Sequence, residues 1–248
     1  MRPAARAGGA LASAGCKRIA ILYAGTSGFS YATWKGVFYP STLPGSKMLD
    51  HYAARLNGVE LNGSFYRTPP ASAMSKWADQ VPPGFRFCMK ANRGLTYSAE
   101  GFDRVGLAKI FSERIAPLDA WLGPVLLQFP PARQKNVALL DALLGALDRP
   151  AAAEFRHESW FDEETYAVLR AHDAALVVTD GEKWPRAPVV EVSSRAYFRL
   201  RRDYDDASFR AWADEVRKAL ASHREVHVYF RHEPQAPALA QRLVELAG

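Results

Sequence analysis

Short apolar runs, several of them β-branched or aromatic, alternate along this chain with longer segments whose apolar positions recur at helical spacing. The runs at residues 19–24, 59–61, 85–89, 124–129, 152–155, 175–178, 197–200 and 226–230 read as eight strands. Helices are predicted over residues 48–56, 73–80, 103–121, 137–147, 162–172, 208–221 and 237–246. Pro237 stands where a first-turn proline belongs, because the first N–H of a helix has no partner within it. Pro185 and Pro188 leave the link between the sixth and seventh strands with a short helix or none. Residues 25–46 form a long loop rich in glycine and aromatic side chains. Strands joined through helices pair in parallel. Eight such units without an internal repeat predict a single-domain α/β fold, a (β/α)8 barrel of the TIM type, with a doubly wound open sheet as the alternative.

The size agrees. The 248 residues, 48% hydrophobic and 12% aromatic, suffice for one large core. The net charge of +6 favours anionic partners, yet no block of like charges marks a nucleic-acid arm. Cys16 and Cys88 show neither metal spacing nor a disulfide framework, which suits a cytoplasmic location. Cys88 lies in an apolar run and reads as a small buried hydrophobe. No stretch approaches the roughly 20 apolar residues of a membrane-spanning helix. Residues 1–17, rich in Ala, Gly and Arg, lack a signal peptide's apolar centre and are expected to be a disordered extension.

Candidate chemistry collects where strands end. Glu60 and Asn62 follow the second strand, Lys90 the third, Gln128 the fourth, and Glu154, Arg156 and His157 the fifth. Asp180 ends the sixth strand, Arg199 lies in the seventh, and Arg231, His232 and Glu233 follow the eighth. In a barrel these positions share the C-terminal mouth, where active sites of this fold are built. Inward charges lacking both partners and ligand would each carry a desolvation cost of several kcal/mol. Their convergence therefore points to a ligand site, although charges at a rim also pair simply to seal it.

Three chemistries fit these residue types. Glu60 and Glu154 lie three strands apart, with backbones roughly 13 Å from each other at ordinary strand spacing and tilt. Their carboxyl groups could then reach the roughly 5–9.5 Å separation of hydrolytic acid/base pairs. Lys90 is a possible imine-forming amine, but a lysine set between carboxylates keeps its charge. It is therefore expected to clamp an anion or pair with Glu60 or Glu154. His157 and His232, with Glu60, Glu154 and Asp180, supply metal-ligand types without a tight motif, so no metal is expected and the cofactor is left open. Aromatics of the first loop (Phe29, Tyr31, Trp34, Phe38, Tyr39), with Phe65 and Tyr66, offer faces for sugar or base rings.

Ordered motifs add a second line. Residues 25–31 (GTSGFSY) with Trp34 and Phe38-Tyr39-Pro40, then residues 59–69 (VELNGSFYRTP), 85–90 (FRFCMK), 127–131 (LQFPP) and 154–160 (EFRHESW), run in register through the chain. In these the chain resembles the bacterial YecE-like family, known as domain of unknown function 72. The resemblance implies a (β/α)8 barrel and brings no established reaction. The chain departs from the family pattern at Thr96-Tyr97, where a Thr-His pair is usual, at Arg201-Arg202 in place of His-Gly, and at Arg231-His232 in place of Asn-Asn.

The leading expectation is an enzyme acting on a small polar or anionic ligand, a sugar or phosphate ester. Glu60, Glu154, Lys90 and Asp180 would carry the chemistry, and Asn62, Tyr66, Gln128, Arg156, His157 and Arg199 would hold the ligand. A nucleic-acid-binding barrel and a non-catalytic ligand-binding barrel are the alternatives. The oligomeric state is left open.

Overall fold

The computed structural model describes residues 19–247; the extension expected at residues 1–17 lies outside them. Eight parallel strands form one sheet: β1 (Ile21–Ser27), β2 (Gly58–Leu61), β3 (Arg86–Met89), β4 (Val125–Gln128), β5 (Ala151–Glu154), β6 (Ala175–Thr179), β7 (Arg195–Leu200) and β8 (Glu225–Phe230). The strand order is β3-β2-β1-β8-β7-β6-β5-β4. The ring nearly closes between β3 and β4, where the Gly123 N–H donates to the Phe87 carbonyl at 3.0 Å and the Ala91 N–H to the Leu126 carbonyl at 2.9 Å. This is the predicted barrel, and an open doubly wound sheet is excluded.

Helices α1 (Met48–Ala53), α2 (Ala71–Asp79), α3 (Arg93–Tyr97), α4 (Arg104–Ile115), α5 (Val137–Leu147), α6 (Glu163–Ala171), α7 (Asp206–Ser222) and α8 (Ala236–Ala247) follow the strands. Asn92, Asp103, Asn136, Asp162 and Asp205 start five of them, each side chain accepting a backbone N–H of the first turn. The predicted helix over residues 103–121 proves to be α4 followed by a 3₁₀ segment, Ala116–Trp121, which carries Pro117 in its first turn. No helix joins β6 to β7, in keeping with Pro185 and Pro188.

Strand side chains alternate between the two faces of the sheet. Outward positions such as Val59, Phe87, Leu127, Val178, Phe198 and Val228 pack under the helices in the main core. Inward positions fill the barrel in layers, as this fold requires. Cys88, Leu126, Ala152, Ala175, Val177, Tyr197 and Tyr229 form its interior cluster. Nearer the N-terminal ends, Tyr23 stacks on His227 at 4.8 Å and Arg195 pairs with Glu225 at 3.0 Å. The period of two therefore fixes which side chains meet at the opposite end, where the strands point.

Candidate functional site

One inward step beyond the interior cluster, the strands present Ser27, Glu60, Lys90, Gln128, Glu154, Thr179 and Arg199, all polar. Arg199 occupies the centre, its side chain only 7% exposed. Its Nε and Nη2 donate to both oxygens of Glu60, at 2.8 and 2.7 Å, in the forked geometry that matches guanidinium to carboxylate. Its Nη1 donates to Glu154 Oε2. Glu60 also accepts from Ser27 Oγ (2.8 Å), Asn62 Nδ2 (3.0 Å), Tyr197 OH (3.0 Å) and Arg201 Nη2 (2.9 Å). Glu154 accepts from Gln128 Nε2 and Arg156 Nε, both at 2.9 Å. Gln128 turns its carbonyl the other way and accepts from Lys90 Nζ at 2.7 Å.

Electrostatics follow from that wiring. Burial alone would raise both carboxyl groups, but the guanidinium groups reverse it. Arg199 and Arg156 hold Glu154 at about 2, and Arg199 and Arg201 hold Glu60 far below the usual carboxylate range. Both glutamates are therefore ionised at neutral pH. Lys90 moves the other way. Burial, together with the positive charge of Arg199 and Arg156, lowers it to about 8 against the opposing pull of Glu154 and Glu60. The Phe65 ring, its centroid 4.0 Å from Nζ, favours the ammonium. That contact is worth about 0.5–1 kcal/mol where solvent reaches it, less than one pKa unit.

Several expectations change here. Glu60 and Glu154 converge as predicted, but on one guanidinium, and neither is protonated near neutrality to act as the acid of a two-carboxylate hydrolysis. Arg199 is enclosed by the two carboxylates instead of being free to clamp a ligand. Lys90 pairs with neutral Gln128 and not with a carboxylate, so its ammonium gives up its proton more readily than that of a free lysine while staying mostly charged at pH 7. Asp180 and His157 are out of phase with the inward positions of their strands. Asp180 accepts the Arg201 N–H at 2.6 Å and the Tyr204 hydroxyl, which pins the segment after β7. His157 Nδ1 accepts the Ser159 N–H at 3.2 Å and starts a short 3₁₀ turn. Trp34 and Tyr39 of the first loop are buried, and His232 stacks on Tyr31 at 5.3 Å. These aromatics pack the loop itself and leave few faces for a ligand.

An open cleft of about 340 Å³ remains above the network, lined on its floor by Lys90, Gln128, Glu154, Arg199 and Arg201. Arg156 and Trp184 form its wall, the guanidinium carbon 5.6 Å from the indole centroid. Among the described residues, the terminal nitrogens of Arg156 have no protein acceptor, its Nε alone binding Glu154. Five cationic side chains (Lys90, Arg156, Lys183, Arg199, Arg201) meet three carboxylates (Glu60 beneath the cleft, Glu154 and Glu182), leaving an excess of positive charge. On the far side of Lys90, Phe65, Tyr66, Arg93 and Tyr97 line a second hollow, with Tyr66 79% exposed. Ser27, Tyr197, Arg201 and Trp184 are site residues that the strand-end reading did not select. The first three continue the inward period of their strands, so alternation alone could have found them. Trp184 sits in an aperiodic loop and leaves no such signal. Among the described residues no three His, Cys, Asp or Glu side chains gather as a metal site, and no helix is long and apolar enough to cross a membrane.

Comparison with known proteins gives one consistent answer. A family model described as "Protein of unknown function DUF72" matches residues 23–248. The UPF0759 protein YunF of Bacillus subtilis is 34% identical over 147 residues, covering 54% of this chain and 52% of that protein. The UPF0759 protein YecE of Escherichia coli K12 is 28% identical over 146 residues, 57% and 50% of the two chains. In these alignments the chain spans about half the length of the curated relatives it matches. Among solved structures, a DUF72 family protein of Thermotoga maritima superposes with a TM-score of 0.81 at 30% identity, over 91% of this chain and 98% of that one. A DUF72 family protein of Enterococcus faecalis, 21% identical, shares the fold with a TM-score of 0.78 over 92% and 95% of the two chains.

Proposed function

Because the chain belongs to the DUF72 family, a family of unknown function, we propose its role from the chemistry of the mouth: an enzyme that binds a small anionic ligand, a phosphate ester or a carboxylate. One observation carries the reading. The buried carboxylates Glu60 and Glu154 are engaged by arginine, while among the described residues the terminal nitrogens of Arg156 have no acceptor and Lys90 has Gln128 alone, both residues lining the open cleft. A ligand anion there completes the hydrogen bonding and offsets the excess positive charge, and a guanidinium fork suits either oxyanion. Proton transfer falls to Lys90, since the best acid or base titrates close to the working pH and the two glutamates do not.

Thermal unfolding in the presence of orthophosphate, glycerol phosphate or malonate tests this. A ligand at one hundred times its dissociation constant stabilises by about 2.7 kcal/mol, which is several degrees for a domain of this size. Chloride at equal ionic strength is expected to give no such rise, and Arg156→Gln to weaken the effective anion by about tenfold, the worth of one charge-assisted contact. If none of the three anions moves the transition of the wild-type protein, the reading is wrong.

Nucleic-acid binding is the second reading, and one observation favours it. Each of the eight loops beyond the strands carries a basic residue, from Lys35 after β1 to Arg231 after β8. Asp103, Asp162, Glu182, Asp203 and Glu233 in the same loops offset that charge. Retention of RNA or DNA that falls steeply between low and moderate salt is its signature.

A further inference from the structure

We propose that Lys90 is a covalent catalytic residue, whose side-chain amine condenses with the carbonyl group of an anionic carbonyl compound bound in the cleft. This rests on the anion-binding reading and adds a reaction to it. The geometry has three parts. First, Lys90 lies at an inward position where β3 opens into the mouth, and it lines the cleft. Second, the carboxylates that would ordinarily pair with it are turned away. Glu60 is held by Arg199 and Arg201, and Glu154 by Arg199 and Arg156, so among the described residues the only hydrogen-bond acceptor of Nζ is the neutral Gln128 Oε1 at 2.7 Å. Third, the Phe65 ring covers one side of the amine, while Arg156 stands in the same cleft with free terminal nitrogens. An anionic group held by Arg156 places the rest of a small ligand over Lys90.

The groups facing Nζ are Glu60 from β2, Gln128 from β4, Glu154 from β5, Arg156 just beyond it and Arg199 from β7. Their balance, with burial, lowers the amine to about 8, so a nucleophilic free-base fraction exists near neutral pH. The step balances without an oxidant or reductant. The Nζ lone pair attacks the carbonyl carbon and the carbonyl π pair goes to oxygen; the nitrogen, now positively charged, gives up a proton and the oxygen takes one, which leaves the neutral carbinolamine. Loss of that hydroxyl with an N–H proton as one water molecule leaves the C=N bond of the imine.

Borohydride trapping tests the proposal on the full chain. The probes are pyruvate, in which the anion is a carboxylate, and dihydroxyacetone phosphate, in which it is a phosphate. Acetone is the uncharged control. Reduction of an imine adds the mass of the probe less one oxygen atom, and peptide mapping locates it. The expected result is a single preferred adduct on Lys90 with at least one anionic probe, and about tenfold less with acetone, the discrimination that one charge-assisted contact supplies. Lys90→Arg, which keeps the positive charge, is expected to lose the adduct, and inorganic phosphate to suppress it in the wild type. The probe that labels better identifies the class of anion. The proposal is overturned if the adducts are spread over surface lysines with Lys90 unmodified, or if acetone labels Lys90 as well as the anionic probes do. Mapping on the wild type decides this even if Lys90→Arg folds poorly. Stabilisation by phosphate with no adduct at Lys90 overturns this step alone, whereas the absence of stabilisation overturns the anion reading beneath it.

Discussion

Replacing Arg199 by methionine is expected to lower the stability of the barrel by about 3–5 kcal/mol, the usual cost of leaving buried charge without its partner. Arg199 donates to both Glu60 and Glu154, whose side chains are 0% and 2% exposed. Methionine fills much of the space and supplies no donor, so both carboxylates keep their desolvation cost and lose their common counter-charge. Arg201 and Arg156 still hold one carboxylate each, which sets the expectation in this range and not beyond it. Urea unfolding of the wild type and the variant measures the difference. Adding Glu154→Gln to Arg199→Met is expected to recover part of the loss, because one of the orphaned charges is then gone. Groups in one network couple by about 0.5–3 kcal/mol. Strictly additive effects would show that Arg199 and Glu154 do not act as a unit.

The second large effect is on acid stability. Glu154 titrates at about 2 in the fold against 4.5 for a free glutamate, and Glu60 is displaced in the same direction. Glu225 at the other end of the barrel is also lowered to about 2, through its contact with His227 and then the charge of Arg195. For carboxyl groups lowered by folding, the unfolded chain takes up protons first as pH falls. Their contribution is therefore complete above about pH 4.5 and disappears as pH drops towards 2. For one buried group displaced as far as Glu154 this is on the order of 3 kcal/mol. Unfolding free energies measured at pH 7, 5, 4 and 3 are expected to decline already between pH 7 and 5, where the unfolded chain protonates His227 before the fold that buries it does, and to fall more steeply below pH 5 as the carboxylates add their share. Stability unchanged at pH 3 would mean that the mouth carboxylates are not held ionised by their arginines.

The same alternation explains what could be read before the fold was known. Strand and helix order was legible because an apolar pair of faces and a helical period leave unmistakable marks; α5 over Val137–Leu147 agrees to the residue. Most strand ends agree within one position, but β1 runs three residues further than expected, because the polar residues Thr26 and Ser27 are buried there by neighbours that are remote in sequence. Within the site, Glu60, Lys90, Gln128, Glu154 and Arg199 were legible as strand-end polar residues and share the inward phase. Asp180 and His157 looked equivalent by position but follow the inward Thr179 and Arg156 by one residue, and so face away. What could not be read was partnership. Whether Lys90 meets a carboxylate or a neutral amide depends on which way Glu60 and Glu154 turn, and Arg199 and Arg201 decide that from the other side of the ring. Arg201, which with Arg202 departs from the family pattern, joins Arg199, which keeps it, in organising Glu60.

On the proposed reading, the mouth holds a small anion between Arg156 and Lys90. Diffraction from crystals soaked in selenate, a sulfate-shaped anion whose selenium is identified by its anomalous scattering, tests it most directly. The expected result is a selenium peak in the cleft, with oxygens about 2.7–3.2 Å from the Arg156 terminal nitrogens and from Lys90 Nζ, and no such peak in the Arg156→Gln variant. Selenate found only on the outer surface, with the cleft filled by water at the same concentration, would mean that the mouth is not an anion site.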